Sequence, residues 1–161
     1  MSDTPALAPL VGDRKLAHQT FFDHRHHDET PRFHYEISDF LHSNSRYGVI
    51  LAFRGAAKST IAEEDIVLDA CERQFHNCVI VGSSETRAVE RLQAIAHELE
   101  NNEPMLSFYG RQRTTNRQWT QTKIVLRNGV VIQAIGRDQA VRGLKHLDWR
   151  PDYVLLDDIE D

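Results

Sequence analysis

The chain has 161 residues, of which 40% are hydrophobic and 27% are charged, a composition typical of a globular protein with a real core. It contains no apolar run of about 18 residues, which excludes the pattern of a membrane-spanning helix. The N-terminus shows no secretory signal, and the net charge of −5 argues against a protein that coats nucleic acid by charge alone.

The charge is distributed unevenly along the chain. Region 111–150 contains nine Lys or Arg residues and two Asp residues, a net charge of +7, so the rest of the chain carries −12. This asymmetry suggests a basic surface for a polyanion such as nucleic acid. A solvated hairpin with scattered arginines is the alternative interpretation.

Cysteine and histidine spacing predicts no metal site. Cys71 and Cys78 have neither a metal-binding nor a redox spacing and fit buried free thiols in a reducing compartment. A group of histidines lacks both a Cys partner and the H-x₃₋₅-H spacing of zinc ligands, so we expect no metal there. These histidines are His24, His26, His27 and His34.

The first part of the chain is predicted to contain helices and two buried strands. Residues 1–12 are expected to be disordered, and residues 13–46 to form two helical pieces broken at ETPRF. The apolar run 49–53 predicts a buried strand, residues 59–73 a helix, and residues 78–82 a second buried strand. The next helix, 85–100, has one apolar face and begins after a capping Ser83 or Ser84.

The second half of the chain adds further strands. Region 103–122 is polar and irregular, and residues 123–135 predict a hairpin closed by a type I′ turn at Asn128-Gly129. A loop follows at 136–146, and a third buried strand at 153–158 ends in acidic residues. Strands that alternate with helices predict an α/β fold with a parallel sheet, whose ligands bind at the carboxyl ends of the strands.

The stretch AFRGAAKST (52–60) has the strand–loop–helix context of a phosphate-binding loop, G-x-x-x-x-G-K-[ST]. Ala52 and Ala57 stand at the two glycine positions, and an alanine that needs a positive φ costs roughly 1 kcal/mol. Lys58 is expected to contact the β- and γ-phosphates of a nucleotide, and Ser59 to give its hydroxyl to Mg²⁺. Thr60 is a weaker metal candidate, and an ordinary strand–helix turn is the alternative.

The apolar run YVLLDDIED (153–161) places carboxylates at a strand end. Asp157 and Asp158 end the run, with Glu160 and Asp161 beyond them. One carboxylate could hold Mg²⁺ and a second could polarise an attacking water, although a strand followed by a solvated turn has the same pattern. Arg142, in the glycine-hinged RGLKH loop, and Arg54 are candidates for stabilising charge on a γ-phosphate. Surface arginines are the alternative.

Residues 33–161 resemble the ATPase domain of bacteriophage terminase large subunits, the motors that package genomic DNA into procapsids. The resemblance is carried, in order, by FHYEISDFL, VILAFRGAAKST, VIVGSSETRA, AIGRDQAVRGLKH and RPDYVLLDDIED. It implies an α/β fold of the P-loop NTPase class, with a RecA-like (ASCE) parallel-sheet core. A helical lead-in (13–46) would precede a partial ATPase domain (47–161).

The resemblance also implies site residues. Asp157 matches the Walker B aspartate as a Mg²⁺ ligand together with Ser59. Asp158 stands where the family has a glutamate, so we prefer Glu160 slightly as the catalytic base, because the shorter Asp158 must reach farther to orient a water. Arg142 falls where some members carry an arginine proposed to act on a neighbouring subunit's ATP. The nucleotide-binding residues implied are Arg54, which matches an arginine within Walker A, Gly55, Ala56, Ala57, Lys58, Ser59 and Thr60.

The activity that the resemblance implies is Mg-ATP hydrolysis coupled to translocation of double-stranded DNA. The implied partners are DNA, a portal protein, a small terminase subunit and further copies of the full-length chain in a ring, in the host cytoplasm and without a membrane. Because the sequence stops at Asp161, we expect an N-terminal fragment without the nuclease domain, with weak or no ATP hydrolysis alone. The alternatives are a helicase-like DNA-dependent ATPase and a truncated, non-catalytic prophage remnant.

Overall fold

The computed structural model describes residues 12–26, 28–43, 45–114, 118–139 and 143–159. The chain divides into two compact units, Met1–Asp65 and Ile66–Asp161. None of the described helices is long and apolar enough to cross a membrane.

The first unit is helical. It contains α1 (Arg14–Phe21), a 3₁₀ turn (Asp23–Arg25), α2 (Arg32–Leu41) and the start of α3 (Lys58–Glu72), which ends in the second unit. The Asp13 carboxylate caps α1 by accepting a hydrogen bond from the Leu16 amide at 3.0 Å. The prediction of two helical pieces within 13–46 is confirmed, although α2 already begins at Arg32, within the predicted break ETPRF. The apolar residues buried in this unit are Ala17, Phe21, Phe22, Ile37, Ala56, Ile61 and Ala62.

The strand predicted at 49–53 is wrong, because these residues have no regular secondary structure. Val49 and Leu51 are 79% and 91% exposed. The Phe53 ring lies 5.9 Å from that of Phe33, between centroids. A short apolar run becomes a strand only where a neighbouring strand completes its backbone hydrogen bonds, and the sequence pattern alone does not supply that neighbour.

The second unit contains a four-stranded sheet. Its strands are β1 (Asn77–Gly82), β2 (Lys123–Val125), β3 (Val131–Gly136) and β4 (Tyr153–Asp157), in the order β2-β3-β1-β4. β1 pairs in parallel with both β3 and β4, and β2 pairs antiparallel with β3. The predicted α/β class with a mostly parallel sheet is therefore confirmed.

Helix α4 (Glu85–Asn101) packs on β1 and β3, as its apolar face predicts. Ser84 caps it by accepting a hydrogen bond from the Arg87 amide at 3.3 Å. The buried apolar face consists of Ala88, Leu92, Ile95, Ala96 and Leu99. This face covers the middle of the sheet and makes α4 the main helical support of the unit.

One helix of this unit was not predicted. Helix α5 (Glu103–Tyr109) follows α4 directly, within the region expected to be irregular. Asn102 ends α4 and caps α5 by accepting a hydrogen bond from the Met105 amide at 3.1 Å. The signal was an asparagine two residues before Pro104, since proline favours the first turn of a helix.

The predicted hairpin joins β2 and β3, but its turn differs from the prediction. Of Asn128 and Gly129, only Gly129 has a positive φ, +89°, whereas a type I′ turn requires positive φ at both. The Gly129 amide bonds to the Leu126 carbonyl at 2.9 Å. The Asn128 side chain donates to the Ala70 carbonyl at 2.8 Å and accepts from the Val130 amide at 3.1 Å. These side-chain bonds hold Asn128 in its observed conformation.

Strand β4 is confirmed as a strand, but the prediction that it is buried is wrong. It lies at the edge of the sheet and pairs with β1 on one side. Val154 and Leu156 share one face of the strand and are 54% and 58% exposed. An unbroken apolar run therefore does not distinguish an edge strand from a central one here.

Candidate functional site

The loop before α3 has an unusual backbone conformation. Gly55 and Ala57 both adopt positive φ, at +85° and +55°, on either side of the buried Ala56. The Ala56 amide bonds to the Phe53 carbonyl at 3.2 Å, which closes a tight turn. Ala57 therefore has the positive φ that was considered from the sequence. This left-handed conformation is energetically unfavourable for alanine because of its Cβ atom.

The start of α3 follows this turn directly. The Ala57 carbonyl accepts a hydrogen bond from the Ile61 amide at 3.0 Å, so α3 begins with Lys58, Ser59 and Thr60 in its first turn. The amides at a helix start lack intrahelical partners and, together with the helix dipole, attract anions. Lys58 is half-buried and its Nζ lies 3.5 Å from the Ala52 carbonyl oxygen, so its charge stays beside the loop.

Helix α2 holds this loop through a hydrogen bond from a histidine. His34 Nε2 donates a hydrogen bond to the Ala56 carbonyl at 3.0 Å, and both residues are buried. Its other ring nitrogen, Nδ1, is buried without a hydrogen-bond partner among the described residues. Arg54, by contrast, is exposed at the turn. Sequence reasoning placed His34 on the predicted helix but gave no signal for this contact, which joins residues 22 positions apart.

The acidic strand end lies in the second unit. Asp157 is the last residue of β4 and pairs in register with Gly82, at the end of β1. Its Oδ2 accepts a hydrogen bond from Arg91 Nε at 2.8 Å. Asp158, the next residue, is exposed and has a positive φ of +42°. Sequence reasoning missed Arg91, which no motif identified.

The predicted site residues therefore fall into three groups. Residues 54–60 are brought together around the start of α3 in the first unit, and Asp157 and Asp158 lie at the end of β4 in the second. Arg142 and Glu160 lie outside the described residues.

Ser59 and Asp157, the two residues implied as Mg²⁺ ligands, offer the hard oxygen donors that suit this ion. The Arg91 guanidinium already bonds to the Asp157 carboxylate and would compete with a metal there.

The basic region 111–150 presents cations to solvent. Arg111, Arg127 and Arg150 are exposed. Arg113 forms an ion pair with Glu100, and its guanidinium carbon lies 5.8 Å from the centroid of the Trp119 ring. Part of the positive charge counted in the sequence is therefore neutralised within the unit. Arg117 and Arg142 lie outside the described residues.

Comparisons of the chain with protein-family models, with curated proteins and with solved structures found no match.

Proposed function

We propose that this chain is the Mg-ATP-binding segment of a DNA-packaging motor, similar to the ATPase domain of bacteriophage terminase large subunits. The observation that carries the proposal is the left-handed conformation of Gly55 and Ala57 immediately before Lys58 and Ser59 at the start of α3. A loop of this kind turns backbone amides toward one side, where phosphate oxygens can accept their hydrogen bonds.

Lys58 and Ser59 have the principal roles in nucleotide binding. The Lys58 ammonium would neutralise phosphate charge, and the Ser59 hydroxyl would be a ligand of Mg²⁺. When bound, Mg²⁺ neutralises charge on the β- and γ-phosphates. Arg54, exposed on the same turn, is a candidate for contacting the γ-phosphate.

The remaining roles are proposed from the resemblance. Asp157 would be the acidic Mg²⁺ ligand. Asp158 or Glu160 would orient the attacking water, and Arg142 would stabilise transition-state charge. In a motor of this class the energy of hydrolysis drives double-stranded DNA into the procapsid.

The nucleotide proposal is tested by thermal unfolding of the full 161-residue chain with Mg-ATP or AMP. A ligand that binds only the folded chain stabilises it by about 2.7 kcal/mol when its concentration is about 100 times its dissociation constant. We expect stabilisation by Mg-ATP and much less by AMP, because the loop contacts phosphates. Ser59→Ala should reduce the gain due to Mg²⁺ while leaving weaker binding of metal-free ATP. Equal stabilisation by ATP and AMP would contradict a phosphate-binding loop.

The DNA proposal needs a separate test. Arg111→Glu should weaken binding to double-stranded DNA and reduce the salt dependence of the binding constant by about one charge contact or more. Arg87→Glu is the matched control, because Arg87 is an exposed arginine on α4 outside the basic region. If both variants change DNA affinity equally, the basic region has no specific role in DNA binding.

A further inference from the structure

Three consecutive acidic residues are buried in the first two turns of α3. Glu63, Glu64 and Asp65 have relative exposures of 1%, 0% and 0%. Carboxylates are rarely buried unless a cation or a set of hydrogen bonds compensates the lost hydration. Arg25 compensates Glu63, since its Nη2 lies 2.6 Å from Glu63 Oε2. Glu64 and Asp65 contact histidines, and Glu64 Oε1 also lies 3.7 Å from Arg25 Nε.

Two imidazoles contact one oxygen of Glu64. His18 Nδ1, from α1, lies 2.7 Å from Glu64 Oε2, and His26 Nε2 lies 3.1 Å from the same oxygen. The two nitrogens and the carboxylate oxygen all lie within 4.8 Å of one another. In a tetrahedral zinc site, neighbouring ligand atoms are about 3.4 Å apart, as bonds of about 2.1 Å require. Small side-chain adjustments therefore suffice to place one ion between the three groups.

The opposite side of His18 has the arrangement found behind metal-binding histidines. Its Nε2 donates to Asp65 Oδ1 at 3.1 Å, and the Ser38 hydroxyl donates to the same oxygen at 2.9 Å. A carboxylate that accepts the second ring N–H fixes the orientation and tautomer of a histidine ligand and makes it a stronger donor to the metal. Nδ1, which faces Glu64, is left as the ligand atom.

The cluster also contains buried polar atoms without hydrogen bonds. Among the described residues, Glu64 Oε1, Asp65 Oδ2 and His34 Nδ1 have no such partner, although Oε1 lies 3.7 Å from Arg25 Nε. His18, His26 and His34 line one small void. Unsatisfied carboxylate oxygens at 0% exposure are costly, and a cation ligated by Glu64 would compensate part of that cost.

We propose that His18, His26 and Glu64 bind a divalent transition-metal ion of the zinc class, with Asp65 as the residue that orients His18. Two imidazole nitrogens and a carboxylate oxygen are ligands that Zn²⁺ accepts readily and that Mg²⁺ does not favour. On binding, the ion replaces a proton between His18 Nδ1 and Glu64, and that proton is released to solvent. This proposal departs from the sequence-based expectation of no metal at His26, whose co-ligands His18 and Glu64 lie 8 and 38 residues away in the chain and follow no zinc-ligand spacing.

A buried ion pair is the competing interpretation of the same contacts. Burial lowers the pKa of His18, but its hydrogen bonds to Asp65 and Glu64 outweigh this and raise it to about 9. A doubly protonated His18 would then bridge the two carboxylates without a metal. The two interpretations differ in what happens when Zn²⁺ is offered to the chain.

Metal titration of the untagged 161-residue chain, stripped with a chelator and free of nucleotide, separates them. We expect one tightly bound Zn²⁺ per chain by calorimetry, a rise in the unfolding temperature, and a visible absorption spectrum of low-symmetry Co²⁺ when Co²⁺ is the probe. Mg²⁺ should not compete. Because no nucleotide is present, the result is independent of whether the loop at Lys58 binds ATP.

Matched variants locate the ion. His26→Gln should weaken Zn²⁺ binding about 100-fold and abolish the thermal shift, and Asp65→Asn should weaken it by about 10- to 100-fold. His24→Gln, an exposed histidine two residues away, should leave the affinity unchanged. His26 has a partly exposed ring, so its replacement leaves the His18–Glu64 contact to support the fold. Wild-type chain without stoichiometric Zn²⁺ binding, or equal losses in His24→Gln and His26→Gln, would overturn the proposal.

Discussion

Arg91, on α4, donates a hydrogen bond from Nε to Oδ2 of Asp157, the last residue of β4, over 2.8 Å. The Arg91 side chain is 37% exposed and that of Asp157 only 13%. The pair therefore joins the helix that covers the sheet to its edge strand, in a partly desolvated position where an ion pair is stronger than at the open surface.

A double-mutant cycle measures this link. We expect Arg91→Ala and Asp157→Asn to show a coupling free energy of about 1 kcal/mol in denaturant unfolding. Arg87 and Glu90, an ion pair at 3.2 Å on the same helix, are the control, with a coupling of only a few tenths of a kcal/mol because both side chains are mostly exposed. Equal coupling in the two cycles would mean that burial adds nothing to the Arg91–Asp157 pair.

Gly82 and Gly136 end the paired strands β1 and β3 beneath the start of α4. A Cβ on Gly136 would lie 2.6 Å from the backbone nitrogen of Glu85. Because backbone cannot move aside cheaply, we expect Gly136→Ala to lower the free energy of unfolding by about 2 kcal/mol or more. Gly129→Ala meets open space and has only a left-handed backbone to strain, so it should lose about 1 kcal/mol. A smaller loss at Gly136 than at Gly129 would contradict this packing.

Two neighbouring alanines in the loop should respond oppositely to glycine. Ala57 has a φ of +55°, so Ala57→Gly removes backbone strain, and we expect it to be neutral or stabilising by up to about 1 kcal/mol. Ala56 is 2% exposed and is not left-handed, so Ala56→Gly should destabilise by about 1 kcal/mol through lost packing and greater unfolded-state entropy. Thermal unfolding of both variants checks the loop conformation, and equal destabilisation would argue against a left-handed Ala57.

The two cysteines should be unreactive in the folded chain. Burial raises the pKa of the Cys71 thiol to about 12, with a smaller contribution from Glu72, and burial with nearby Asp152 and Asp69 raises that of Cys78. Only the thiolate attacks alkylating reagents. Iodoacetamide at pH 8 should therefore modify the native chain at least about 100-fold more slowly than the guanidinium-unfolded chain. Rapid native labelling at Cys78 would show that the strand end is open to solvent.

The strongly periodic parts of the fold were predictable from the sequence. Five apolar positions at helical spacing identified α4 and its buried face, and the β-rich runs identified β1, β3 and β4. The Asn128-Gly129 pair located the hairpin, but the turn type depends on the bond from Asn128 to the Ala70 carbonyl, which lies far away in the sequence. The local residue pattern therefore identified the hairpin, whereas a tertiary contact determined the geometry of its turn.

The candidate site was predictable only in its local part. The AFRGAAKST pattern predicted a loop that enters a helix, and the helix begins at Lys58 as expected, but the strand expected before the loop is not observed at residues 49–53. The sequence did not predict the hydrogen bond from His34 to the loop or the pairing of Asp157 with Arg91, because the partners are 22 and 66 residues apart. The buried strand expected at 49–53 was wrong because burial depends on a partner and not on composition.

The most direct test of the central claim is the Mg-ATP dissociation constant of the 161-residue chain before and after Lys58→Ala. Lys145→Ala, which removes an exposed lysine of the basic region, is the matched control. We predict that the wild type and Lys145→Ala bind Mg-ATP alike, and that Lys58→Ala binds about 10- to 100-fold more weakly, as expected for a lost charge-assisted contact. Unchanged affinity in Lys58→Ala would show that the turn before α3 is not a phosphate-binding loop.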